Sequence, residues 1–298
     1  MKISETRKGE SAILIQSIFS SAMPVVVILS YSTLPPMVSL LGTTLFIVLF
    51  FALVLTSKKK WKEILTPGVW RNFLLIIPFT SFGYYAFYYW GLKYTTAGNA
   101  SIIALMETFF SYLLFHVWKK EEFSSKHLFG ALLMLLGAAT VLLPKTSPLN
   151  RGDFFILCAA AAAPIGNYFQ QKVRKKISSY SIMFWRSLGA LPLMWILTWV
   201  FKERIVFAQA VPAIIWLALV GIVFIGIRVL FWLEGIHRIS VTKANALGCL
   251  TPFFTLILAY FVLGQKPLIW QWLSLIPMII GVVFLTAPEP KEEVLTLV

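Results

Sequence analysis

Residues 88–110 read YYWGLKYTTAGNASIIALMETFF, and residues 231–254 read FWLEGIHRISVTKANALGCLTPFF. Gly91 and Gly235 stand 144 positions apart, and the same offset pairs Ala100 with Ala244, Phe109 with Phe253, Phe110 with Phe254, Met134 with Met278 and Gly137 with Gly281. One register therefore runs without a gap through two apolar segments and their connection. It also sets Glu121 against Gln265. Upstream the match is weaker, with Met23 and Pro24 falling against Ala163 and Pro164 after a small gap. The pattern is that of a duplicated chain.

Around this repeat the composition fixes the solvent. Apolar residues make up 59% of the 298 positions and charged residues 13%, with a mean hydropathy of +0.82, whereas soluble domains carry about 25% charged residues. Lipid is the expected surroundings. Runs of membrane-crossing length lie at 11–30, 34–56, 70–92, 97–118, 127–143, 152–171, 180–201, 211–235, 241–263 and 269–286. The charged opening from Met1 to Glu10 leads into a run long enough to span and shows no clear cleavage site, so the first helix is expected to stay in place. Cys158 and Cys249 lie in apolar runs and have no ligand or disulfide spacing.

Placing both termini in the cytoplasm puts 18 Lys and Arg on the inner side and six on the outer, with Arg186 and Arg228 inside spans. That bias satisfies the positive-inside rule and predicts an inner, cell-membrane location. The formal charge of +14 is then mostly topological. Nucleic acid is not an expected partner, because the basic residues are scattered over short loops, where anionic headgroups are their neighbours.

Five spans per copy is an odd number, so two copies in one chain enter the membrane in opposite senses. The expected fold is an all-α membrane protein of ten transmembrane helices built as two inverted five-helix repeats, residues 1–148 and 149–298. Two similar halves of opposite orientation can exchange conformations and open one central site to each side in turn.

The aromatic-rich helix end, the small residues after it, the step before Phe109 or Phe253, Glu121 or Gly264-Gln265, and the late Gly137 or Gly281 resemble the EamA pattern of the drug/metabolite transporter superfamily. Three positions depart from it: Thr108 stands where the second copy has Pro252, Gln265 replaces the usual Glu, and no Arg opens the second helix although Arg186 opens the seventh. The resemblance implies ten helices, a cavity lined mainly by helices 1, 3, 4, 6, 8 and 9, and transport of metabolites such as amino acids or nucleotide derivatives, commonly by export or exchange.

The candidate site rests on polar groups held away from water. Glu107 lies about ten residues from either end of its span, roughly 15 Å deep. It is expected to contact substrate or to carry a coupling proton; an interhelical hydrogen bond is the alternative. Arg228 and Trp232 fall opposite Tyr84 and Tyr88 in the 144 register, so the four are expected to face one space where rings stack on a planar ligand or hold a cation. Snorkelling and ordinary packing are the alternatives. Gln16 and Ser20 share a face of the first span, and Asn167 and Gln170 follow Pro164 in the sixth. Lys243 completes the candidates, although it and Arg186 lie near span ends, where a structural or topological role competes. His116, His127 and His237 lack metal-ligand spacing.

No Walker A sequence, His-Glu-x-x-His pair or Gly-x-Ser-x-Gly elbow occurs, so neither an ATP-driven pump nor a hydrolase is indicated, and no cofactor is called for. A secondary transporter of a small-molecule metabolite is the leading expectation. An intramembrane enzyme acting on lipid and a passive channel are the alternatives, and the assembly state is open to a homodimer.

Overall fold

The computed structural model describes residues 5–119, 125–142, 150–204, 207–239 and 241–286, and these residues are all-helical. The ten helices are α1 (Glu5–Ser30), α2 (Pro36–Lys58), α3 (70–92), α4 (97–119), α5 (Ser125–Leu142), α6 (Arg151–Arg174), α7 (Ser179–Val200), α8 (207–238), α9 (241–263) and α10 (Ile269–Thr286). Glu121 and the expected division between residues 148 and 149 lie outside the described residues. Among the described residues, six helices are long and apolar enough to cross a bilayer on their own, and α5, the second part of α9 and α10 are shorter apolar helices.

Local chemistry explains the starts. Thr96, Asn150 and Ser178 cap α4, α6 and α7 by accepting from the backbone N–H groups of Asn99, Gly152 and Ser181. Pro36 opens α2, where its missing N–H costs nothing, and the Glu203 carboxylate accepts from Met37 N at 2.8 Å and Val38 N at 3.1 Å. The helix α1 is described from Glu5, six residues before the apolar run, and its charged turns find partners: Glu5 binds Arg238 and Glu10 binds Lys243.

The duplication is visible in the irregularities. Both α3 and α8 contain a widened π-helical stretch, Ile77–Gly83 and Leu219–Ile227, whose last residues stand 144 positions apart. Both α4 and α9 break, at Leu105 and at residues 249–250, again 144 apart. Packing repeats too. Helix α1 packs on α8 and α9 as α6 packs on α3 and α4, while α2 faces α7 and α5 faces α10. Exchanging each helix for the one five places on leaves this pattern unchanged.

Close approaches use the paired glycines. A Cβ on Gly91 would lie 2.9 Å from the Gly152 carbonyl, and one on Gly235 would lie 3.4 Å from the Gly9 carbonyl, so α3–α6 and α8–α1 meet backbone to backbone. Between α5 and α10, Met278 fills the space over Gly137 and Met134 fills the space over Gly281. Leu53, Trp199 and Phe261 point outward and are more than 70% exposed, as a lipid-facing surface requires.

Candidate substrate cavity

The two widened turns set the site. A π turn inserts a residue into the helical ladder and turns everything after it, and such turns concentrate at functional positions. Tyr84 and Arg228 are the first residues after the two turns and are repeat counterparts. Both line two adjoining cavities at the centre of the bundle, one of about 360 Å³ and one of about 220 Å³. The larger volume lies within the range of small-molecule sites.

The larger cavity takes its polar wall from both halves. Glu107, in the first turn after the α4 break, accepts a hydrogen bond from Asn167 Nδ2 of α6 at 2.7 Å. Gln16 of α1 donates to Ser20 Oγ at 2.7 Å. Arg186 of α7 reaches in beside Tyr85 and donates from Nη1 to Gln170 Oε1 at 2.9 Å. Trp232 and Arg228 close the α8 side. The cavity runs to Arg174 and Ser179, at the α6–α7 turn, which lies on the face carrying the N-terminal end of α1. The smaller cavity lies deeper, where Tyr88 stacks on Tyr84 with ring centroids 5.6 Å apart.

Seven sequence candidates thus meet in one region: Glu107, Tyr84, Tyr88, Arg228, Trp232, Gln16 and Asn167. Lys243 lines neither cavity. It sits at the start of α9, half exposed, and pairs with Glu10. The helices implied by the resemblance all contribute, and α7 joins them through Arg186. Sequence spacing gave Arg186 a depth near a helix end but not its direction; in the structure it is 6% exposed and faces the cavity.

A second polar group, absent from the sequence reading, sits at the face opposite the N terminus. Asp153, 2% exposed at the start of α6, accepts from Thr95 Oγ1 and from Asn99 Nδ2, and Gln271 Nε2 donates to Asn99 Oδ1 at 2.6 Å. Asn99 is the repeat counterpart of Lys243, so the Glu10–Lys243 pair is its equivalent on the other face. Each half therefore ties the start of its own fourth helix to the start of the other half's first helix.

The EamA-like transporter family model matches residues 7–143 and again residues 150–287. The chain belongs to the EamA-like transporter family. It is a multi-pass membrane transporter of two inverted EamA repeats, not an enzyme. The uncharacterized transporter YdeK of Bacillus subtilis (strain 168) is 29% identical over 134 residues, 45% of this chain and 46% of that protein. The match thus spans about half the length of that relative. YyaM of the same organism is 24% identical over 67% of this chain and 68% of its own length, and an uncharacterized transporter of Haemophilus influenzae is 24% identical over 74% and 76%. A solved crystal structure aligns over 95% of this EamA chain and 98% of its own, with a TM-score of 0.65 at 19% identity, a likeness of fold.

Proposed function

We propose that this EamA protein is a secondary active transporter, an exporter or exchanger of small organic metabolites such as amino acids or nucleoside-like compounds, working by alternating access. The observation that carries the reading is a polar cavity at mid-span whose wall is shared by the two inverted halves, with Glu107 and Asn167 joined across it. Inverted halves of equivalent packing have two equivalent arrangements, and exchanging them moves the opening from one face to the other. Glu107, Tyr84, Tyr88, Arg228, Trp232, Gln16 and Asn167 contact the ligand, and Glu107 is the site for a coupling proton. The repeats divide between residues 148 and 149.

The excess of Lys and Arg on the turns sharing a face with the N terminus supports cytoplasmic termini and an inner-membrane location. Self-association as a homodimer is compatible with the broad apolar exterior.

Counterflow in proteoliposomes tests the reading. Vesicles are loaded in turn with pooled amino acids, cationic nucleoside-type compounds, and organic or sugar phosphates, and uptake of the matching labelled compound is followed. Saturable exchange of one pool establishes the carrier. Conductance that rises without saturation, and no counterflow, replaces it with a channel.

A further inference from the structure

Arg174 stands at the mouth of the cavity, and within the spans the cavity is lined by two guanidinium groups and one carboxylate: Arg186, Arg228 and Glu107. Even with Glu107 ionised, this leaves one positive charge in excess. No ion pair joins either arginine to an acid among the described residues, and Glu107 is engaged by the neutral Asn167. An uncompensated charge inside a membrane span is costly and marks a functional site.

Arg186 adds geometry to charge. It is buried, its Nη1 is held by Gln170, and its Nε is sequestered without any hydrogen-bond partner. Gln170 thereby orients the guanidinium beside Tyr85, and both neighbours are neutral. A guanidinium carries five N–H donors in a flat fork matched to the two oxygens of a carboxylate, and the Gln170 bond uses one of them. A buried charge without a counter-charge is costly, and a bound carboxylate supplies one. Tyr84, Tyr85 and Trp232 supply flat faces for the body of the ligand.

We infer that the cavity takes an organic anion, with its carboxylate on Arg186 and Arg228 and a planar body against Tyr84, Tyr85 and Trp232. This rests on the carrier reading of the same cavity, and it makes Arg186 the residue that selects for the acid group. Neutral and purely cationic ligands of the same shape leave the Arg186 charge without a counter-charge and bind more weakly.

Three probes with one ring and different charge decide the matter: benzoate, benzamide and benzylammonium. Their binding to the full chain in nanodiscs is read from the shift in thermal unfolding. Benzoate is expected to raise the midpoint, and benzamide and benzylammonium are not. In Arg186→Gln the apparent benzoate affinity falls about ten- to a hundredfold, as loss of hydrogen bonds to a charged group predicts. Arg186→Lys, which keeps the charge without the flat fork, gives an intermediate loss. Arg228 makes no hydrogen bond among the described residues, so Arg228→Gln keeps the fold's contacts if Arg186→Gln fails to fold; it too weakens benzoate. Protection by benzylammonium or benzamide in preference to benzoate, or by none of the three, overturns the inference. Arg186-dependent protection by benzoate without counterflow of any compound supports the anion site and removes the carrier reading. Counterflow of cationic or neutral compounds that benzoate does not inhibit keeps the carrier and removes the anion site.

Discussion

The Glu107 carboxylate accepts a 2.7 Å hydrogen bond from Asn167 Nδ2, joining α4 of the first repeat to α6 of the second at the cavity wall. Both groups sit where water reaches them only through the cavity, so a change at either acts on the ligand and on the contact between halves. Glu107→Gln keeps the shape and the acceptor but removes the ionisable group. Counterflow is expected to fall about tenfold or more, the loss of one charge-assisted contact, with the unfolding midpoint little changed. Normal counterflow by Glu107→Gln at every pH would remove Glu107 from the mechanism.

The α5–α10 seam predicts matched damage. Met278 sits over Gly137 and Met134 over Gly281, with backbone oxygens 2.9 and 2.7 Å from where the added Cβ atoms would be. Leucine at either glycine forces the helices apart, and overpacking of this kind costs about 1–3 kcal/mol. Gly137→Leu and Gly281→Leu should lower the unfolding midpoint by similar amounts. A large difference between them would show that the two halves of the seam are not equivalent.

The hydrogen bonds of Asp153 are expected to hold the face opposite the N terminus shut. Removing its bonds to Thr95 and Asn99 by Asp153→Ala weakens the tie between α6 and α4. With Ser101→Cys as a reporter in the smaller cavity, labelling from that face by a membrane-impermeant maleimide should speed up about tenfold, the factor for one net hydrogen bond to a charged group. An unchanged labelling rate would mean that Asp153 does not hold that face shut.

A pH effect is expected from the turn between α2 and α3. Burial pushes the Glu63 carboxyl up, but hydrogen bonds from Ser178 Oγ, Ser181 Oγ and Ser178 N outweigh it and hold the group down at about 2. A carboxylate lower in the folded state than in the unfolded chain stabilises the fold above its ordinary range, and that contribution is lost as pH falls through the folded value. The unfolding midpoint of the native chain should therefore drop between about pH 4.5 and about pH 2. Glu63→Gln should begin lower and drop less across that window; parallel curves would exclude Glu63 as the cause.

Hydropathy alone marked the helices well, because each run had to be long enough for the bilayer and bounded by charge. Its expected span at 34–56 corresponds to Pro36–Lys58 and that at 152–171 to Arg151–Arg174. It missed the first turns of α1, whose charged residues read as a polar opening until Arg238 and Lys243 supply their partners from α8 and α9. Within the site, Glu107 and Arg228 stood out because charge in an apolar run has few explanations. Asp153 did not, since only α4 and α10, more than fifty residues away in each direction, give its position meaning. Spacing along a helix gives depth, and the direction of a side chain around the axis is set by neighbours from elsewhere in the chain. Arg186 is the clearest case.

The reciprocal fit of Met134 on Gly281 and Met278 on Gly137 means that one helix surface is complementary to an upside-down copy of itself. A chain of half this length carrying that surface could pair with a second molecule inserted the other way up. Fusion of two such genes would need no new interface; it would fix a one-to-one ratio and free each copy to diverge, which is where an arginine on one side can come to face a tyrosine on the other.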